Sequence, residues 1–159
     1  MNTNKTELGI VDLFAGCGGM SLGFMNAGFT VSAAFENWKE AADIYRKNFD
    51  HPLHEEDLGD PNVVNSIKTY KPQIIIGGPP CQDFSSAGHR NESLGRADLT
   101  CSFANIIREI QPRFFVMENV DRITKSKTYP EAERIIRESG YGLTTVVLDA
   151  SYCGVPQKR

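Results

Sequence analysis

The run Ile74-Ile75-Ile76-Gly77-Gly78-Pro79-Pro80-Cys81-Gln82 constrains the fold more than any other stretch of this chain. Consecutive β-branched residues with no polar alternation read as a strand buried on both faces, which belongs to a parallel sheet covered by helices. Gly77 and Gly78 stop the strand, and Pro79-Pro80 have no N–H to offer a sheet ladder. Cys81 therefore falls where the strand gives way to a loop, on the carboxyl edge where open α/β sheets bind ligands. It is a candidate nucleophile. The alternative is a small buried hydrophobe, because a nucleophilic thiol needs an exposed, electropositive setting.

The rest of the chain alternates in the same manner. Strands are predicted over Gly9 to Phe14, Phe29 to Phe35, near Pro52-Leu53-His54, over Ile74 to Ile76, Phe114 to Met117 and Thr144 to Leu148. Helices are predicted over Met20 to Ala27, Lys39 to Phe49, Pro61 to Tyr70, Leu99 to Ile110 and Pro130 to Ser139. Strict alternation argues for an α/β fold with a doubly wound, mostly parallel sheet. At 159 residues, 40% apolar and 23% charged, the chain is expected to be one soluble domain, 1–159. No apolar run approaches the ~20 residues of a membrane span, and the start lacks a signal-peptide pattern. Cys17, Cys81, Cys101 and Cys153 show neither Cys-x-x-Cys nor zinc-ligand spacing. Reduced thiols, a cytoplasmic setting, no metal and no membrane partner are expected. A net charge of −3 offers no bulk attraction to nucleic acid, so any basic surface must be local or supplied by another polypeptide.

Four more features converge on that edge. Asp12-Leu13-Phe14-Ala15-Gly16-Cys17-Gly18-Gly19 is a glycine turn between the first strand and its helix, which lets a ligand approach the backbone. Glu36 ends the second strand about 20 residues beyond that turn, where an acidic residue commonly holds ribose hydroxyls; a solvated surface glutamate is the alternative. Asp57 suits an adenine amino group, or equally a helix cap. Glu118-Asn119-Val120 closes the fifth strand, and its carboxylate is expected to be desolvated and suited to sharing a proton. In a sheet of order 3-2-1-4-5, strands four and five are neighbours, so Cys81 and Glu118 would share one cleft.

These motifs together resemble the DNA cytosine carbon-5 methyltransferases, S-adenosylmethionine-dependent enzymes of restriction–modification and epigenetic systems. The glycine turn resembles the family's cofactor motif, Gly77-Gly78-Pro79-Pro80-Cys81-Gln82 its catalytic Pro-Cys motif, and Glu118-Asn119-Val120 its Glu-Asn-Val motif. Gly154-Val155-Pro156-Gln157-Lys158-Arg159 resembles the start of its Gln-x-Arg-x-Arg motif. The resemblance implies a Rossmann-like fold of the S-adenosylmethionine-dependent type, lacking its last strand or strands. It also implies that Asp12, Phe14, Ala15, Gly16, Cys17, Gly18 and Gly19 meet the cofactor, with Glu36 on the ribose and Asp57 on the adenine. Asn37, Trp38, Leu58, Pro80 and Leu99 would complete the pocket. Family members usually place an apolar or aromatic residue directly after the ribose-binding acid; Asn37 followed by Trp38 departs from that pattern.

The implied reaction is methylation of carbon-5 of a flipped-out cytosine in double-stranded DNA. Cys81 would be the covalent nucleophile, and Glu118 and Arg159 would hold the base. Gln82, Ser85, Ser86 and Arg90, in the polar segment beyond Cys81, would contact DNA, with the serines and Arg90 on phosphates. The cell context implied is a bacterial cytoplasm, with the protein nucleoid-associated when on DNA. A full-length member continues with another strand, a target-recognition region and a closing helix. A complementary C-terminal polypeptide is therefore an expected partner, and the isolated chain is expected to be inactive. A tRNA cytosine-5 methyltransferase of the same fold is the alternative, although that branch carries Pro-Phe-Thr where this chain has Asp83-Phe84-Ser85. An inactive nucleoside-binding scaffold is the other.

Overall fold

A computed structural model of the chain describes residues 8–80, 99–126 and 128–154. Five strands form one sheet: β1 (Gly9–Leu13), β2 (Thr30–Phe35), β3 (Leu53–His54), β4 (Ile74–Gly77) and β5 (Phe114–Met117). Every pairing is parallel, as the alternation predicts, and the order is β3-β2-β1-β4-β5. The connecting helices are α1 (Gly19–Asn26), α2 (Lys39–Asn48), α3 (Val63–Lys68), α4 (Leu99–Ile110) and α5 (Tyr129–Glu138).

The period-2 rule divides the buried strand residues between two cores. Ile10, Val31, Ile74 and Ile76 pack toward Met20 and Phe24 of α1. Ala34 packs with Tyr45 of α2 on that same side, against Ala15. Val11, Leu13, Phe35 and Ile75 point the other way, into a larger cluster with Val63, Val64 and Ile67 of α3 and Phe103, Ile106 and Ile107 of α4. Because Ile10 and Asp12 are two residues apart, Asp12 faces the α1 side and is 1% exposed. A carboxylate is thus buried at the sheet centre. Helix α5 lies outside the main stack, with Ala132, Ile135 and Ile136 against Ala104 of α4.

Thr144 to Leu148 forms no strand, contrary to the prediction. Its β-branched residues favour extension, but a strand exists only by pairing, and among the described residues nothing pairs with it. Val146, Val147 and Leu148 are exposed, as are Phe114 and Val116 of β5.

Candidate active site

The glycine turn is where the site begins. Leu13 ends β1, and Phe14 follows in the left-handed region at φ 55°, unusual for a residue with a Cβ. Ala15 donates its amide to the Phe35 carbonyl (3.1 Å), so the turn stays attached to β2 while Phe14 swings to the cavity side. Gly77 is required by close approach, since a Cβ there would lie 2.5 Å from the Leu13 carbonyl oxygen. The β1 and β4 backbones meet too closely for a side chain.

A cavity of about 490 Å³ opens at the carboxyl ends of β1, β2 and β4. Its polar wall carries Glu36, Asn37, Glu56 and Asp57. Its apolar wall carries Phe14, Trp38, Leu58, Pro80 and Leu99, with backbone from Gly16 and Gly78. Glu36 is anchored at both oxygens: Oε2 accepts from the Gly16 amide and Oε1 from the Trp38 amide, each at 2.7 Å. One carboxylate thereby ties the end of β2 to the glycine turn and to the entry of α2. Asp57 accepts from the Gly59 amide through Oδ1 at 2.8 Å, a turn that fixes its side chain at the rim.

Of the predicted cofactor residues, Phe14, Gly16, Glu36, Asn37, Trp38, Asp57, Leu58, Pro80 and Leu99 come together on this cavity. Asp12, Ala15, Cys17, Gly18 and Gly19 do not line it. Ala15 is buried against Ala34 and Tyr45, Cys17 is exposed, and Gly18 lies under the ring of Phe49. Asp12 points beneath the turn, where its Oδ2 accepts from the Ser21 hydroxyl at 2.7 Å. Burial pushes its carboxyl up to about 7; the Ser21 hydroxyl and amide pull it back, and the charge of Glu36 adds to the rise. Sequence reasoning missed Glu56 and Gly78. The acidic run Glu55-Glu56-Asp57 was the available signal for the first, and the strand-ending Gly77-Gly78 pair for the second.

Glu118 follows β5 next to β4, its amide donating to the Gly77 carbonyl at 2.9 Å. A Cβ on Gly78 would stand 3.2 Å from Glu118 Oε2, so the second glycine clears space for this carboxylate. The expectation of a desolvated acid is not met among the described residues, where Glu118 is exposed. Asn119 supplies a tie that sequence reading did not anticipate: its Nδ2 donates to the Pro79 carbonyl at 2.7 Å. The Pro79–Pro80 turn is thereby held to the end of β5. Cys81, Gln82, Ser85, Ser86, Arg90 and Arg159 lie outside the described residues.

A doubly wound parallel sheet with a carboxylate-lined cavity at its carboxyl edge defines the class of open α/β proteins whose ligand sites lie at that edge. The family model for C-5 cytosine-specific DNA methylases matches residues 8–159, and the chain belongs to that family. Type II methyltransferase M.HindV of Haemophilus influenzae is 59% identical over 150 residues, 94% of this chain and 49% of that relative. The chain therefore spans about half the length of M.HindV. Among solved structures, a prophage-encoded E. coli protein described as a DNA modification methyltransferase aligns with a TM-score of 0.67 at 32% identity. That alignment covers 82% of this chain and 38% of the other. S. pombe Dnmt2 methyltransferase shares the fold with a TM-score of 0.78 at 24% identity, over 96% of this chain and 48% of its own.

Proposed function

We propose that this chain carries the cofactor-binding and catalytic part of a DNA cytosine-5 methyltransferase of a restriction–modification system. The observation that carries the reading is the junction of two features at one sheet edge. Asn119 clamps the Pro79–Pro80 turn beside Glu118, and Pro80 itself lines the carboxylate-bearing cavity.

The cavity suits S-adenosylmethionine by its donor set. Glu36 has both oxygens oriented by backbone amides, which leaves further lone pairs for a ribose diol. Asp57 would accept from an adenine amino group. Phe14, Trp38, Leu58, Pro80 and Leu99 offer apolar surface for a flat base. When bound, the cofactor supplies an electrophilic methyl group on a sulfonium.

The remaining chemistry falls to this chain. Cytosine carbon-5 is too weak a nucleophile to take that methyl unaided. In this proposal the Cys81 thiolate adds to carbon-6, forming a carbon–sulfur bond and making carbon-5 enamine-like. Glu118 holds N3 and the exocyclic amino group as charge develops on the ring, and Arg159 sits beside it. After methyl transfer to carbon-5, loss of the carbon-5 proton expels the Cys81 thiolate and restores the aromatic ring. A duplex hides these atoms, so the base must be extruded at a cost of a few kcal/mol. Gln82, Ser85, Ser86 and Arg90 are proposed to meet the DNA. Reading of the target sequence is assigned to a C-terminal complement, on the same or a separate polypeptide. Half-length coverage of M.HindV supports that assignment, as do the uncovered apolar residues around β5.

Trapping tests this directly. DNA carrying 5-fluorocytosine, incubated with S-adenosylmethionine, this chain and its complement, is expected to give a denaturant-stable adduct. Cys81→Ser is expected to give none. Adduct formation by Cys81→Ser, or methylation of tRNA in place of DNA, overturns the reading.

A further inference from the structure

Beneath the cavity runs a buried polar chain that the reaction does not use. Asp12 Oδ2 at the end of β1 accepts from Ser21 Oγ on α1 at 2.7 Å. Ser21 Oγ lies 2.7 Å from Tyr45 Oη on α2, and Tyr45 Oη lies 2.6 Å from His51 Nε2. Ser21 and Tyr45 are fully buried. The chain has a definite polarity while Asp12 is ionised. Ser21 spends its one hydrogen on Asp12, so Tyr45 must donate to Ser21, and His51 must donate to Tyr45 from a protonated Nε2.

Asp12 and Ser21 flank the Phe14–Gly19 turn, and their hydrogen bond closes its base. Tyr45 also touches the top of the turn. At Gly18, where φ is +94°, a Cβ would lie 2.1 Å from Phe49 Cε2 and 3.0 Å from Tyr45 Cε2. The two rings, with centroids 4.4 Å apart, therefore rest on the turn's own backbone. The turn they hold is the one that presents the Gly16 amide to Glu36.

We propose that Tyr45 is a positioning residue for the cofactor turn: its hydroxyl locks the Asp12–Ser21 closure while its ring seats Gly18, so that Glu36 and the Gly16 amide are preset for the nucleoside. This rests on the cofactor reading above. The same residues explain why Asp12 stands in the motif without lining the cavity. Glu36, just past β2, opposes ionisation of Asp12, and burial lowers the His51 imidazole against the opposing charge of Asp50, which keeps the ring neutral.

Tyr45→Phe deletes the hydroxyl and keeps the ring. In the free 159-residue chain, amide hydrogen exchange at residues 16–22 is expected to quicken about tenfold, the scale of one buried hydrogen-bond linkage, while β1 and β4 amides hold. S-adenosylmethionine affinity, measured by calorimetry, is expected to fall about tenfold in parallel. The Asp12 carboxyl carbon, followed by NMR, is expected to titrate at a higher pH, because Ser21 loses the donor that strengthens its own bond. A purely space-filling role would leave that titration unmoved. Ser21→Ala serves as a second variant should Tyr45→Phe melt too low, and Ile44→Ala, on the exposed side of α2, controls for general weakening of the helix. Exchange that stays unchanged at 16–22, or that rises equally in the sheet, overturns the proposal. Failure of the unmodified chain to bind S-adenosylmethionine removes the cofactor reading, while the exchange comparison still decides the role of Tyr45.

Discussion

The middle of the sheet and its β5 edge are finished differently. On the β2–β1 side, strand residues are buried on both faces, Glu36 ties turn to helix, and a four-member polar chain runs under the glycine turn. On the β5 side, Phe114 is 52% exposed and Val147 is 82% exposed, and 144–148 has no paired neighbour among the described residues. The carboxylate-lined cavity opens on the finished side, where rigid elements set a side chain within tenths of an ångström. The apolar side chains on the β5 side stay exposed among the described residues. The chain thus separates a preset site from an edge with little of its own to stabilise.

Substitutions should expose that contrast in order of size. Phe35→Ala, in the closed core, is expected to cost about 3–5 kcal/mol by urea denaturation, whereas Val147→Ala should stay within about 0.5 kcal/mol. Comparable losses would erase the contrast. Stability should also depend on pH through Asp12. Its folded carboxyl titrates near 7 against an unfolded value near 3.8, so between those values the folded chain keeps a proton that the unfolded chain has released. Stability therefore falls as pH rises from about 4 to 7, by up to about 4 kcal/mol, and Asp12→Asn should flatten that slope. Gly18→Ala comes next, at about 3 kcal/mol, because it must adopt a left-handed conformation and displace Phe49. Its melting temperature should drop while a Gly142→Ala control, with open space around it, holds. Asn119→Ala should cost only about 1 kcal/mol of stability yet slow adduct formation about tenfold, since it releases the Pro79 carbonyl next to the nucleophile motif. Equal rates would detach that tie from the chemistry. Val147→Lys should leave the isolated chain within about 0.5 kcal/mol of wild type while weakening capture of the C-terminal complement proposed above.

Local patterns carried much of this molecule. Ile74-Ile75-Ile76 can be satisfied only by a doubly covered strand, and the rhythm of strands and helices leaves few orders open once crossovers are right-handed. The pocket was legible for a related reason: residues at the carboxyl ends of adjacent parallel strands must converge, which brings Phe14, Glu36, Asp57 and Pro80 together. Thr144 to Leu148 misled because β-propensity records fit to a sheet surface, and the sheet has to be present. Glu118 misled because an apolar strand before it says nothing of what stands over its tip.

What the residues determined by themselves is therefore the parallel, doubly covered sheet, the carboxyl edge where the cavity lies and the chemical types gathered there. Each follows from periodicity and turn chemistry, which act over a few neighbours. The tertiary structure alone decided that Asp12 braces the turn from below, that Asn119 holds Pro79, and that Tyr45 reaches from α2 to Gly18. Those contacts join residues from nine to forty positions apart. Hydrogen-bond partners at such separations depend on ångström-scale placement, which no local pattern encodes.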